Sequence, residues 1–184
     1  MVKEAYKLSS SRILSFYIIV TFIAVVVYKT FIRNTLFHVD DRLIIHIFLG
    51  ILISLPIIAI NYLLMTKTSI FKEFIEYIRE HIAYLDHFEI IAVALFSGIG
   101  EEILFRGILQ HFIGFIFASL GFGLMHIGPT KKYLPWTLFA LIMGFFLGSV
   151  RIYFGSLIVP IVIHACVNYA SFRFLFSMNN KALN

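Results

Sequence analysis

From Leu43 to Met65 the chain runs for 23 residues without one Asp, Glu, Lys or Arg. About 20 mostly apolar residues suffice to cross the roughly 30 Å hydrocarbon core of a bilayer. A helix apolar on every side over that length has no use for water. The stretch from Ile13 to Phe31 is broken by Lys29 alone, so it reads as a second such span. The first stretch is too long for a cleaved signal peptide and no small-residue cleavage site follows it, so the chain is expected to keep it. With 60% hydrophobic and 14% charged residues, a soluble core could not hide the apolar excess, which must face lipid.

Four more spans follow by the same reading: Phe88 to beyond Arg106, Phe112 to Ile127 ending at Gly128-Pro129, Leu134 to Val150, and Ser156 to Phe176. Residues 70–88 differ. Phe71, Phe74, Ile75, Ile78, Ile82 and Leu85 recur at helical spacing against Lys72, Glu73, Glu76, Arg79 and Glu80, which describes an amphipathic helix in the membrane interface. Pro56 is expected to kink the second span. The fold class is therefore all-α: a polytopic membrane protein with about six transmembrane helices and one interfacial amphipathic helix. Residues 1–184 form one membrane domain, in which 1–87 hold two spans and the amphipathic helix and 88–177 form a helical core. Membrane lipid is the expected surroundings. The net charge of +5 is spread over loops and ends, which fits topology signalling and excludes nucleic acid as a partner. The lone cysteine, Cys166, rules out an intramolecular disulfide and a cysteine metal cluster.

Charge counting gives an orientation. With the N-terminus inside, Lys3, Lys7, Arg12, Lys67, Lys72, Arg79, Lys131, Lys132, Arg173 and Lys181 fall on the inner side. Lys29, Arg33, Arg42, Arg106 and Arg151 fall on the outer side. The excess favours both termini in the cytoplasm.

The spans carry few ionisable groups, and these are informative. Positions 97–107 read Ser-Gly-Ile-Gly-Glu-Glu-Ile-Leu-Phe-Arg-Gly. Each unpaired charge there costs on the order of 3 kcal/mol by insertion scales. Glu102 and Arg106 are four residues apart and can neutralise each other on one helix face, as a structural pair. Glu101 lies about 100° around the helix and is free to face a cavity. Folding back near Gly114 would bring Glu101 and His126 to one depth, roughly 18 Å from the turn. His164 and Asn168, again four apart, fall near mid-membrane in the last span. Four polar groups on three spans at compatible depth point to chemistry rather than packing. His46 reads as a helix–helix hydrogen bond, and His38, His81, His87 and His111 as loop or interface residues.

Hydrolysis of a peptide bond needs an activated water and donors for the oxyanion. A desolvated carboxylate is a better base, and an imidazole can hold the same water. Glu101 and His126 suit the first role, His164 and Asn168 the second. Zn²⁺ on Glu101, His126 and His164 is the alternative chemistry, although the His-Glu-x-x-His signature is missing. We expect no metal and no cofactor.

The ordered set Glu-Glu-x-x-x-Arg at 101–106, Phe-x-x-x-His at 122–126 and His-x-x-x-Asn at 164–168 resembles the signature of the CPBP (Abi) intramembrane endopeptidases. That family includes CAAX prenyl proteases and bacteriocin-processing or immunity proteins, and the resemblance covers roughly residues 88–177. It implies a glutamic peptidase with Glu101 as catalyst. The substrate would be a peptide or protein precursor: a prenylated CAAX peptide, a bacteriocin or pheromone precursor, or a C-terminal sorting anchor. Rival readings are a non-catalytic immunity or scaffold protein, expected to have lost part of the polar set, and a transporter, expected to show paired repeats. The small size suits a prokaryotic cell membrane. Because the first catalytic residue lies on the third span, we expect the cavity to open outward, towards an exported substrate.

Overall fold

A computed structural model describes residues 7–32 and 42–177. Lys3, Arg33, His38, Asp40, Asp41 and Lys181 lie outside the described residues. The architecture is helical, with no strand among the described residues. The helices are α1 (Ser10–Phe31), α2 (Leu43–Lys67), α3 (Ser69–His81), α4 (His87–Glu102), a π-helical segment (Ile103–Leu109), α5 (Gln110–Met125), α6 (Leu134–Phe154) and α7 (Ile158–Ser177). Five runs among the described residues are long and apolar enough to cross a membrane, and the chain is an integral membrane protein.

The third of these runs, His87–Met125, has 39 residues, far more than one crossing requires. It is folded in two at Gly114, whose φ of 82° and ψ of 168° break the helix. That backbone region is closed to most L-residues, so glycine is the natural occupant. The fold-back sets the Phe105 and Phe122 rings 5.0 Å apart, edge to face. The five runs thus make six helical limbs. The return limb, 115–125, is the exception to the expected spans: at 1.5 Å per residue it covers only about 16 Å.

The amphipathic helix is shorter than its pattern. It ends at His81, and Ile82 and Leu85 leave it in an extended stretch. Two local bonds compete for that stretch. Leu8 pairs with it through Leu8 N to His81 O (2.8 Å) and Ala83 N to Leu8 O (2.9 Å). Asp86 then starts α4 with a capping box: Glu89 N donates to the Asp86 carboxylate at 2.8 Å and Asp86 N to Glu89 at 2.9 Å, an arrangement that holds the N-cap extended. The apolar face of α3 does not dip into lipid. Phe71, Phe74, Ile75 and Ile78 are buried against Met65, Leu85, Leu175 and Phe176. α2 continues through Pro56.

Two ends of the bundle follow from these contacts. Leu8, α3, the start of α4 and the end of α7 share one end, where Arg79 Nε donates to Leu175 O at 2.9 Å. At the other end, Leu157 and Tyr28 close around Gly107. α1 lies along α4, α2 along α7, and α5 along α6. Small residues allow the close approaches: a Cβ on Gly144 would stand 2.7 Å from Ser119 O.

Candidate active site

The fold-back at Gly114 and the packing of α7 on α4 bring three of the sequence candidates to one point. Glu101 Oε2 lies 3.9 Å from His126 Nε2 and 3.9 Å from His164 Nε2. It is buried, with no hydrogen-bond partner within the described protein. Both imidazoles are held from behind. His126 Nδ1 donates to Phe122 O at 2.7 Å, and His164 Nδ1 donates to Glu102 Oε1 at 2.8 Å. A carbonyl and a carboxylate only accept, so each Nδ1 carries a proton, and a ring in its neutral form turns the Nε2 lone pair towards Glu101.

Glu102 does more than its spacing implies. It is fully buried, and the same Oε1 that accepts from His164 accepts from Arg106 Nη1 at 2.8 Å. The ion pair with Arg106 is there, and it also orients a candidate catalytic ring. Arg106 Nη2 reaches Gly144 O at 3.1 Å and Met143 O at 3.4 Å, and the guanidinium lies 4.3 Å from the centre of the Phe122 ring. It ties α6 and α5 to the turn that bears both glutamates. The charge count placed Arg106 at the outer surface; it is buried in the bundle instead, so it carries no vote on orientation. The π-helical geometry that starts at Ile103 has no visible sequence signal. Such segments concentrate near functional sites.

Asn168 lines the same cavity. One of its amide hydrogens goes to Ser97 Oγ, with Nδ2 at 2.9 Å. Cys166 is not among the lining residues. His46 departs from expectation: its Nδ1 has no hydrogen-bond partner, and the ring packs edge-on to Phe154 at 6.0 Å. His81 bonds back to Tyr77 O, His87 packs near Tyr169 and His111 lies against Phe112, all outside the cavity.

The cavity holds about 450 Å³. Its walls are largely apolar, from Phe71, Phe74, Ile78, Trp136 and Leu147, with Glu101, His126, His164 and Asn168 at the polar spot. It extends from Glu101 to Leu8 and Arg12, both exposed. It therefore reaches the surface at the end that bears the chain's first helix turn and the close of α7. Span order led to the expectation of an outward opening. Span order says which way α4 points, whereas the cavity runs back along α4 towards its beginning.

A family model described as type II CAAX prenyl endopeptidase Rce1-like matches residues 84–170. Over this segment, somewhat under half of its length, the chain is similar to the Rce1-like CAAX endopeptidases. Over 81 residues, 43% of this chain and 41% of the other, it is 37% identical to the uncharacterized protein YpbD of Bacillus subtilis (strain 168). The match thus spans less than half of that relative. No solved structure matches. All four candidate catalytic residues, with Glu102 and Arg106, fall inside the segment shared with the CAAX endopeptidases.

Proposed function

We propose that this CAAX endopeptidase relative is an intramembrane glutamic peptidase that cleaves a membrane-associated precursor. The observation that carries the reading is the trio of facing acceptors, Glu101 Oε2 with two imidazole Nε2 atoms at 3.9 Å. Three acceptors in a buried spot repel one another unless protons lie between them. A water molecule supplies two. It can give one hydrogen to Glu101 and the other to an imidazole, which leaves its oxygen lone pair facing the substrate carbonyl. In the attack a C–O bond forms, the water proton passes to Glu101 and the carbonyl oxygen becomes an oxyanion. The free N–H of Asn168 can donate to that oxygen. His164 can donate there only as an imidazolium, because its neutral Nε2 accepts, so the proton-holding role suits it better. Collapse breaks the C–N bond and the proton on Glu101 moves to the leaving amine.

The apolar walls suit an apolar or lipid-modified segment, and a prenylated CAAX peptide is the first substrate to try. The test is a quenched prenylated CAAX peptide incubated with purified protein in detergent micelles, with and without exhaustive chelation. We expect release of the C-terminal fragment at the same rate in both. Loss on chelation with recovery on adding Zn²⁺ would replace the glutamic mechanism by a metal one. No cleavage of prenylated or unprenylated peptides would favour a non-catalytic role.

Orientation follows from charge at the two ends of the bundle. Lys7, Arg12, Lys67, Lys72, Arg79, Lys131, Lys132 and Arg173 belong to the cavity end, against Lys29, Arg42 and Arg151 at the other. By the positive-inside rule the cavity opens to the cytoplasm. In a Cys166→Ala background, Thr130→Cys, at an exposed position, is expected to resist a membrane-impermeant thiol reagent in intact cells and to react after permeabilisation. Labelling of intact cells would turn the cavity outward.

A further inference from the structure

Three helices that line the cavity, α1, α2 and α3, lie outside the segment shared with the CAAX endopeptidases, and α1 is the one that reaches Glu101. α1 is pinned to α4 at the turn that carries Glu101. Thr21 Oγ1 donates to Phe96 O at 2.9 Å across the two helices, and also to Tyr17 O at 2.8 Å on its own. Gly100, next to Glu101, is what lets α1 come so close: a Cβ there would stand 2.5 Å from Thr21 Oγ1 and 3.1 Å from Thr21 Cα. Four residues before Thr21, on the same face of α1, Tyr17 lines the cavity beside Glu101. Its phenol lies near enough to the Glu101 carboxylate in this cavity for the two to interact by charge.

The chemistry of the spot gives this contact its meaning. With both imidazoles neutral, Glu101 faces two acceptors, and a lone carboxylate among acceptors is free to rotate. A phenol O–H is a donor. We propose that Tyr17 is a positioning residue for Glu101: its hydroxyl donates to the carboxylate and holds the other face of that group towards His126 and His164. Thr21 and Gly100 set the helix spacing that brings the phenol within reach. The inference rests on the peptidase reading, and it adds a residue of α1 to machinery otherwise drawn from α4, α5 and α7.

Two measurements on the full chain test it. In the cleavage assay with the quenched prenylated CAAX peptide, Tyr17→Phe should lower kcat by about tenfold to a hundredfold, the range expected when a reacting group is misplaced. KM should stay within about twofold and the melting temperature unchanged, since only the hydroxyl is lost. Separately, with 3-fluorotyrosine at position 17, the ¹⁹F resonance should shift on Glu101→Gln and not on Glu73→Gln, which alters an exposed residue of α3. Wild-type kcat in Tyr17→Phe, a loss confined to KM, or a resonance indifferent to Glu101→Gln would overturn the inference. Wild-type protein that cleaves no peptide would instead remove the peptidase reading, and the ¹⁹F response would still decide whether the two residues are joined.

Discussion

Glu101→Gln is expected to abolish peptide cleavage, with kcat falling by about 10²–10⁴, the contribution of a general base. The amide keeps the shape and volume of the carboxylate, so the cavity and the packing of α4 should persist. What changes is the face turned to Nε2 of His126 and His164, 3.9 Å away. An acceptor that takes up a proton becomes a neutral amide that cannot. Melting in detergent should match wild type, because Glu101 Oε2 has no hydrogen-bond partner within the described protein and the amide oxygen could still accept from Tyr17. Cleavage at the wild-type rate would end the glutamic reading and leave the polar cluster without a catalytic role.

Glu102→Gln should act on the fold. Removing one partner of a buried ion pair typically destabilises by about 3–5 kcal/mol, since the remaining charge has nowhere to go. Arg106 is 3% exposed and Glu102 is 0% exposed, so water cannot compensate. Carbonyls of Met143 and Gly144 would still accept from the guanidinium, but they bring no countercharge. The same substitution loosens His164, whose Nδ1 bonds to Glu102, so activity should fall beyond what lost stability explains. Denaturant unfolding in micelles reads the first effect. The double variant Glu102→Gln with Arg106→Met should recover part of the loss, because it removes the stranded charge. Stability equal to wild type in the single variant would refute the pair.

Much of this was legible in the sequence because lipid makes the rules few. Uncharged runs such as 43–65 can only be buried or lipid-facing helices, and polar residues inside them must meet partners. Gly114 was readable as a turn because Glu101 and His126 flank it almost symmetrically, and the structure brings them together there. Other features depend on tertiary contacts that local pattern does not encode. Ile82 and Leu85 continue the helical period of α3, yet the backbone bonds of Leu8 and the Asp86–Glu89 cap take that stretch out of the helix. The Asp86–Glu89 spacing was a visible cap signal. Glu102 was read through its own helix, where Arg106 is the near neighbour. Its bond to His164 crosses 62 positions. Tyr17 gave only a faint sign, a phenol four residues before a threonine in an aliphatic span, and nothing in α1 says which helix that face will meet. Which end of the bundle the cavity reaches depends on which helix halves splay apart, and span order does not encode that.

The short limb after Gly114 bears on the bilayer itself. α7 rises about 30 Å over its 20 residues, whereas residues 115–125 rise about 16 Å before the chain turns back through Lys131 and Lys132. The hydrophobic girth of the protein is thus uneven around its perimeter. The apolar height offered to lipid by the limb after Gly114 is therefore shorter than that along α7. Such mismatch is relieved by local thinning or tilt. Thinning on that flank would bring the headgroup layer nearer to Glu101 and shorten a path for water. For the proposed hydrolysis, membrane thickness would then be a physical variable, set by the host lipids as much as by the protein.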